Sequence, residues 1–287
     1  MHARTIRWIG WGFCVLTVTL AGCTKEADRA NKTDTPRPDG QIEAKQDNQG
    51  KKIPAQTVGF NKGLKLLSFQ QAVILANEVP RNELQPPDRT STDKNAVKIF
   101  ESIANDLWDK VTFKSAAGKG IKYQATISTE LGEIRLDLYG DSAPNHVRSF
   151  VCLAKLGYYD GMSFYRTPKR KSEDNDIAYI ETGCPRGTGE FGSGSIGYWL
   201  RPEIDSKLTH GDGVLGACLG EDPNSAACRF YLTAAAMPQM DGYFTIFGKV
   251  THGLDVVHTI NRREVQELDR PKQPVGIKTV TIRTMAE

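Results

Sequence analysis

The stretch Tyr158-Tyr159-Asp160-Gly161-Met162-Ser163-Phe164-Tyr165-Arg166 constrains the fold of this chain more than any other. Asp160-Gly161 reads as a tight turn, because glycine accepts a positive φ at no steric cost. The apolar run from Met162 to Tyr165 then reads as a short strand that ends on a guanidinium. Period-two alternation places Phe164 and Arg166 on one face of that strand and Tyr165 on the other. A charge set among aromatic groups costs roughly several kcal/mol unless it is paired. Two readings of Arg166 are therefore open: an edge-strand side chain in water, or a paired guanidinium with a chemical task.

The flanking motifs bear on that choice. Upstream stands Ala143-Pro144-Asn145-His146-Val147-Arg148-Ser149-Phe150, followed by Gly157. Downstream come Gly213-Val214-Leu215, Arg229-Phe230-Tyr231-Leu232-Thr233 and Met240-Asp241-Gly242, closing on Phe247-Gly248-Lys249-Val250. In their order and spacing, over roughly 121–284, these motifs resemble the cyclophilin family of peptidyl-prolyl cis-trans isomerases. The resemblance implies a mainly β fold, a closed eight-stranded antiparallel barrel capped by two helices.

Periodicity gives a compatible outline. Tyr123–Thr129 and Glu133–Tyr139 alternate apolar and polar residues around a turn at Leu131-Gly132, which predicts a hairpin. Pro144 suits the first turn of a helix and Gly157 its C-terminal cap. Further strands are predicted near 214–219, 229–234, 245–250 and 277–284, with a helix over 254–261. Many strands and few helices point to a closed antiparallel barrel.

Two helices are predicted ahead of this domain. The first spans Leu64 to Val79, with Ser68 and Gln71 spaced as a capping box and Pro80 as its stop. The second spans Lys94 to Val111, where Phe100, Ile103, Ala104, Leu107, Trp108 and Val111 form an apolar stripe. Neither belongs to the cyclophilin pattern. They read as an N-terminal extension packed on the domain, or alternatively as a partner-binding surface.

The N-terminus carries export signals. Arg4 and Arg7 precede an apolar run from Trp8 to Leu20, too short to span a bilayer comfortably. Leu20-Ala21-Gly22-Cys23 resembles a bacterial lipobox, in which the Cys23 thiol takes the lipid; the other reading is an ordinary signal or an uncleaved anchor. Thr24 follows where some lipoproteins carry an acidic residue, so the resemblance favours the periplasmic side of an outer membrane. Residues 24–60 are dominated by Lys, Asp, Asn, Gln and Pro, and cannot bury enough apolar surface to offset their ordering entropy. The expected plan is a signal peptide over 1–22, a lipid-anchored disordered linker over 23–60, a helical extension over 61–118 and a cyclophilin-like domain over 119–287. Without residues 1–22 the chain keeps 35 basic and 34 acidic side chains. That balance leaves no basic patch to argue for nucleic acid.

Cys152, Cys184, Cys218 and Cys228 contain no CxxC spacing and the histidines are scattered, so no metal site is expected. Cys152 reads as a buried thiol on a helix face. A disulfide among Cys184, Cys218 and Cys228 stays open.

The chemistry implied by the resemblance needs no cofactor. Rotation about an X–Pro bond is slow because amide resonance stiffens the C–N bond. A catalyst needs an apolar floor for the pyrrolidine ring and a donor that favours the twisted amide over the planar one. The resemblance assigns the donor to Arg166, with Glu181 and Arg229 standing where the family usually has two glutamines. It assigns substrate contacts to Phe164, Tyr179, Phe230, Tyr231, Met240 and Phe244. Ala178 replaces a usual pocket phenylalanine, and Gln239 replaces a tryptophan linked to cyclosporin binding. The two glutamine exchanges balance in charge, which predicts that Glu181 lies between Arg166 and Arg229 as a charge-assisted pair. The function expected is a monomeric isomerase acting on proline-containing clients exported to the cell envelope. The alternatives are a catalytically weak module that binds proline-containing segments, and a purely structural envelope lipoprotein whose barrel serves for docking.

Overall fold

A computed structural model describes residues 66–75, 86–171, 176–189, 195–220 and 222–286. The leader, Cys23, the linker and Pro80 lie outside these residues. No helix among the described residues is long and apolar enough to cross a membrane.

The architecture is mainly β, a curled antiparallel sheet with few helices. Its nucleus is the hairpin of β2 (Ile121–Thr129) and β3 (Gly132–Leu138). Tyr123 pairs with Leu138, Ala125 with Leu136 and Ile127 with Ile134, all six buried. One face of each strand thus enters the core, as strict alternation requires. The sheet continues with β4 (Ser163–Phe164), β5 (Lys169–Arg170), β6 (Ile177–Thr182), β8 (Val214–Ala217), β9 (Phe230–Thr233), β10 (Ile246–His252) and β11 (Val275–Ala286). Its order is β4-β11-β2-β3-β10-β8-β9-β6-β5.

The curl brings β4 back to β6. The Tyr165 backbone N–H donates to the Glu181 carbonyl at 3.1 Å, and the Glu181 N–H donates to the Arg166 carbonyl at 2.9 Å. The Thr182 hydroxyl adds a bond to the Ser163 carbonyl.

Helix α3 (Pro144–Lys155) packs on the curled sheet and has Pro144 in its first turn. Its N-cap position is Ala143, which has no side chain to offer. Glu203 does that work instead, accepting the backbone N–H groups of Asn145 and His146 and bonding both of their side chains. A carboxylate at a helix N-terminus satisfies its exposed donors and complements the dipole. Gly157 follows at φ 65° as the predicted cap, and α4 (Leu254–Asn261) has the predicted bounds. In the Asp160-Gly161 turn, Gly161 has φ 82° and the Asp160 carboxylate accepts the Val280 N–H at 2.9 Å, tying the turn to β11.

The sequence ahead of the sheet differs from the prediction. Only α1 (Phe69–Ala72) is helical between 66 and 75, with the Gln71 side chain accepting the Ser68 N–H at 3.1 Å. Val73–Leu75 is instead strand β1, paired with β7 (Tyr198–Leu200). Tertiary pairing with a buried strand overrides the local helical signal there. The second stretch is helical, running from α2 (Ala96–Ser102) through a π turn, Ile103–Leu107, into a 3₁₀ turn, Trp108–Lys110.

Its stripe faces the domain: Ile103, Trp108 and Val111 are buried in the main core, and Phe100, Ala104 and Leu107 pack against it. Arg148 of α3 clamps this segment. Its buried guanidinium donates to the carbonyls of Leu67, Trp108 and Val111 and to the Asp109 carboxylate, 4.8 Å over the Trp108 ring. Such a charge is tolerated because its donors are satisfied.

Candidate functional site

Two apolar clusters divide the side chains of β4, β6 and β9. Phe164 and Phe230 join the main core, where Phe230 meets Phe150 and Tyr159 edge-on. Both are essentially inaccessible. They pack in the main core rather than in the cluster beside Arg166, which sets them apart from the other four residues predicted to contact substrate. The predicted pairing of Phe164 and Arg166 on one face fails. β4 ends at Phe164, whose partner is Val275, whereas Arg166 bridges to Glu181 on a different strand. Alternation does not carry through that change of partner.

The second cluster joins Cys218, Tyr231 and Phe244, with Tyr179, Leu219, Met240 and Tyr243 packed around it. Tyr231 stands beside Tyr179, ring centroids 5.7 Å apart, and edge-on to Phe244 at 6.2 Å. A 3₁₀ turn, Pro238–Met240, delivers Met240 and is followed by Asp241. Four predicted contact residues, Tyr179, Tyr231, Met240 and Phe244, are thus brought together. The Gln239 side-chain amide donates to the Asp176 carbonyl at 2.7 Å, tying this turn to the start of β6.

Arg166 lies at the edge of this cluster. Its side chain is 20% exposed, and its guanidinium sits 5.8 Å from the Tyr179 ring centroid. One end lies 3.7 Å from Glu181 Oε2 and the other 3.6 Å from Asp269 Oδ2. Those separations sustain electrostatic attraction but exceed hydrogen-bond length, so these carboxylates position the guanidinium without consuming its protons. Burial alone would lower the Arg166 pKa, but Tyr179, Glu181 and Asp269 together hold it above the ordinary arginine value.

Glu181 does lie between the two arginines. Its Oε1 accepts Nε and Nη2 of Arg229 and the Tyr165 hydroxyl, and its side chain is only 2% exposed. Burial would raise its pKa; Arg229 first, then Arg166, pull it below the ordinary carboxylate value. Burial likewise pushes up the Cys218 thiol, and the neighbouring Glu181 charge adds to that. Cys152, Cys184, Cys218 and Cys228 are all buried and none is in a disulfide. The bond left open among the last three is not made.

Three participants were not assigned from the sequence. Alternation places Tyr165 on the face opposite Arg166, yet its hydroxyl bonds Glu181. Asp269 is more than a hundred residues from Arg166 in sequence and reaches it from a turn where Leu268 and Asp269 both have positive φ. Cys218 falls near the site by sequence position, but nothing local to it predicts contact with Glu181. Among these, the adjacency of Tyr165 to Arg166 was the one local signal available.

The family model for "Cyclophilin type peptidyl-prolyl cis-trans isomerase/CLD" matches residues 124–282. The peptidyl-prolyl cis-trans isomerase CYP18-1 of Arabidopsis thaliana is 32% identical over 157 residues, covering 55% of this chain and 94% of that protein. The peptidyl-prolyl cis-trans isomerase ppi1 of Schizosaccharomyces pombe is 38% identical over 152 residues, covering 53% of this chain and 93% of that protein. Among solved structures, a cyclophilin-type isomerase of Cryptosporidium parvum superposes with a TM-score of 0.50 at 25% identity, covering 56% of this chain and 98% of that one. A second structure of that protein, in the presence of the dipeptide Ala-Pro, superposes equally well.

Proposed function

The chain belongs to the cyclophilin-type peptidyl-prolyl cis-trans isomerase family, and we propose that it catalyses rotation about X–Pro bonds of exported polypeptides at the cell envelope. The observation that carries the reading is the accessible Arg166 guanidinium held beside the Tyr179, Tyr231, Met240 and Phe244 cluster. In this reading the cluster takes the pyrrolidine ring and Arg166 supplies the donor.

As the amide twists, resonance is lost and its nitrogen becomes a better acceptor of a hydrogen bond. A donor fixed in advance stabilises the twisted state more than the planar one, which is the requirement for acceleration. Glu181, Arg229 and Asp269 keep that donor in place. The turnover of a proline peptide by the full described domain, with its extension, tests the proposal. A chain that binds such a peptide without turning it over is a binding module instead.

The barrel is proposed to be closed and eight-stranded, from β4 through β11 and around to β6. The backbone bonds between Tyr165, Arg166 and Glu181 support this. The location rests on the order of Arg4, Arg7, the apolar run and Leu20-Ala21-Gly22-Cys23. A multiply acylated Cys23 would hold the chain on a membrane, each buried methylene contributing about 0.8 kcal/mol. Cys23→Ala is expected to accumulate as unprocessed precursor without lipid label. Normal cleavage and localisation of that variant would overturn the lipid-anchor reading.

Inhibitor response gives another check. With Gln239 in place of an indole, and its amide engaged by Asp176, a flat apolar contact and an N–H donor are both missing. Cyclosporin is expected to bind poorly, and nanomolar inhibition would contradict this account of the pocket.

A further inference from the structure

Beside the apolar cluster runs a chain of polar groups, from a buried His210 to a part-exposed Asp241, that the proposed reaction does not use. His210 is buried, with its side chain fully inaccessible. Its Nδ1 lies 2.7 Å from Asp241 Oδ1, and its Nε2 lies 2.8 Å from the Tyr231 hydroxyl. The same carboxylate oxygen accepts the His210 backbone N–H at 2.7 Å. The His210 carbonyl in turn accepts the Met237 N–H, which ties this loop to the turn carrying Met240.

The directions of these bonds follow from the groups. An ionised Asp241 only accepts, so Nδ1 carries a proton. Burial holds the His210 pKa down against the opposing pull of Asp241, which favours the neutral ring. In that ring Nε2 is the acceptor, and the Tyr231 hydroxyl donates to it.

The space around the hydroxyl matches this arrangement. A Cβ added at Gly216 would lie 2.2 Å from the Tyr231 oxygen, so the ring reaches its position only because residue 216 has no side chain. Tyr231 is therefore held at both ends, by β9 at its backbone and by His210 at its hydroxyl. The ring is buried, so its hydroxyl needs a partner inside the protein, and His210 Nε2 is that partner.

We propose that His210, oriented by Asp241, is a positioning residue of the isomerase site that fixes the Tyr231 ring as the floor of the proline pocket. The inference rests on the isomerase reading given above. A floor for the pyrrolidine ring is used in the planar and twisted states alike. Loosening it therefore weakens uniform binding and raises KM, while the donor step at Arg166 and hence kcat are spared.

Steady-state turnover of a proline peptide by the full chain, with thermal unfolding followed in parallel, tests this. His210→Ala is expected to raise KM about tenfold, the equivalent of roughly 1.4 kcal/mol of binding, with kcat within about twofold of wild type. His210→Gln keeps a polar atom near the position of Nε2 and is expected to recover most of the affinity. A merely structural role would not give that split or that recovery. Should His210→Ala fail to fold, Tyr231→Phe removes the hydroxyl alone and is expected to raise KM by about threefold or more. An unchanged KM in a folded His210→Ala or in Tyr231→Phe overturns the inference, as does a loss confined to kcat. Wild-type protein without turnover removes the isomerase reading and this inference with it. Turnover with an unmoved KM removes only the second.

Discussion

An Arg166→Ala variant is expected to lose about a hundredfold in kcat/KM while remaining folded, a typical cost of removing one preorganised donor. The fold does not depend on this side chain, which is 20% exposed and lies outside hydrogen-bond reach of its two carboxylates. Its removal leaves Glu181 with Arg229 and the Tyr165 hydroxyl, so no buried charge is stranded. Arg166→Lys is expected to rescue little. A planar guanidinium spans Glu181 on one side and Asp269 on the other, whereas an ammonium is a single point of charge on a flexible stem. Peptide turnover measured beside thermal unfolding checks both variants. Undiminished turnover in a folded Arg166→Ala would leave binding without catalysis as the better account.

The second large effect falls on stability. Glu181→Gln restores the residue usual in the family but leaves Arg229 mostly buried with no anionic partner. Breaking a buried pair from one side costs roughly 3 kcal/mol or more, and denaturant unfolding should show a loss of that order. Activity should fall too, since Arg166 loses one of its two carboxylates.

Adding Arg229→Gln removes the stranded charge and is expected to recover much of the stability, a coupling characteristic of groups in direct contact. Strict additivity of the two changes would mean that the residues are independent. Acid gives a separate check. The Glu181 pKa is lowered in the folded state, so its contribution is fully present above the ordinary carboxylate value and is lost as pH falls through the folded one. The stability gap between wild type and Glu181→Gln should therefore narrow toward low pH. A gap that stayed constant across the acid range would argue against the ion pair as its source.

Most of the β framework was legible because its signals are local. The β2–β3 hairpin, the proline at the start of α3, the bounds of α4 and the Asp160-Gly161 turn follow from alternation, fixed φ or turn chemistry. Those preferences act within a few residues, and the structure honours them. The apolar stripe from Phe100 to Val111 was equally readable. The burial of its Ile103, Trp108 and Val111 in the domain core required the rest of the molecule.

Where two distant segments compete or cooperate, local preference did not decide. Val73–Leu75 follows helical signals into a strand because β7 offers it a partner. Phe164 and Arg166 part company because the strand changes neighbours between them, and a period of two holds only along one continuous pairing. The charge balance of Glu181 and Arg229 could be anticipated from residue types alone. Tyr165, Asp269 and the His210–Asp241 pair around Tyr231 could not, since chain closure sets those distances. Local signals and family motifs were enough for the class of fold and for the kinds of group at the site. Which aromatic residues joined the main core and which the second cluster, and which carboxylates hold each cation, followed from tertiary contacts alone, because those contacts join strands and loops that no local preference relates.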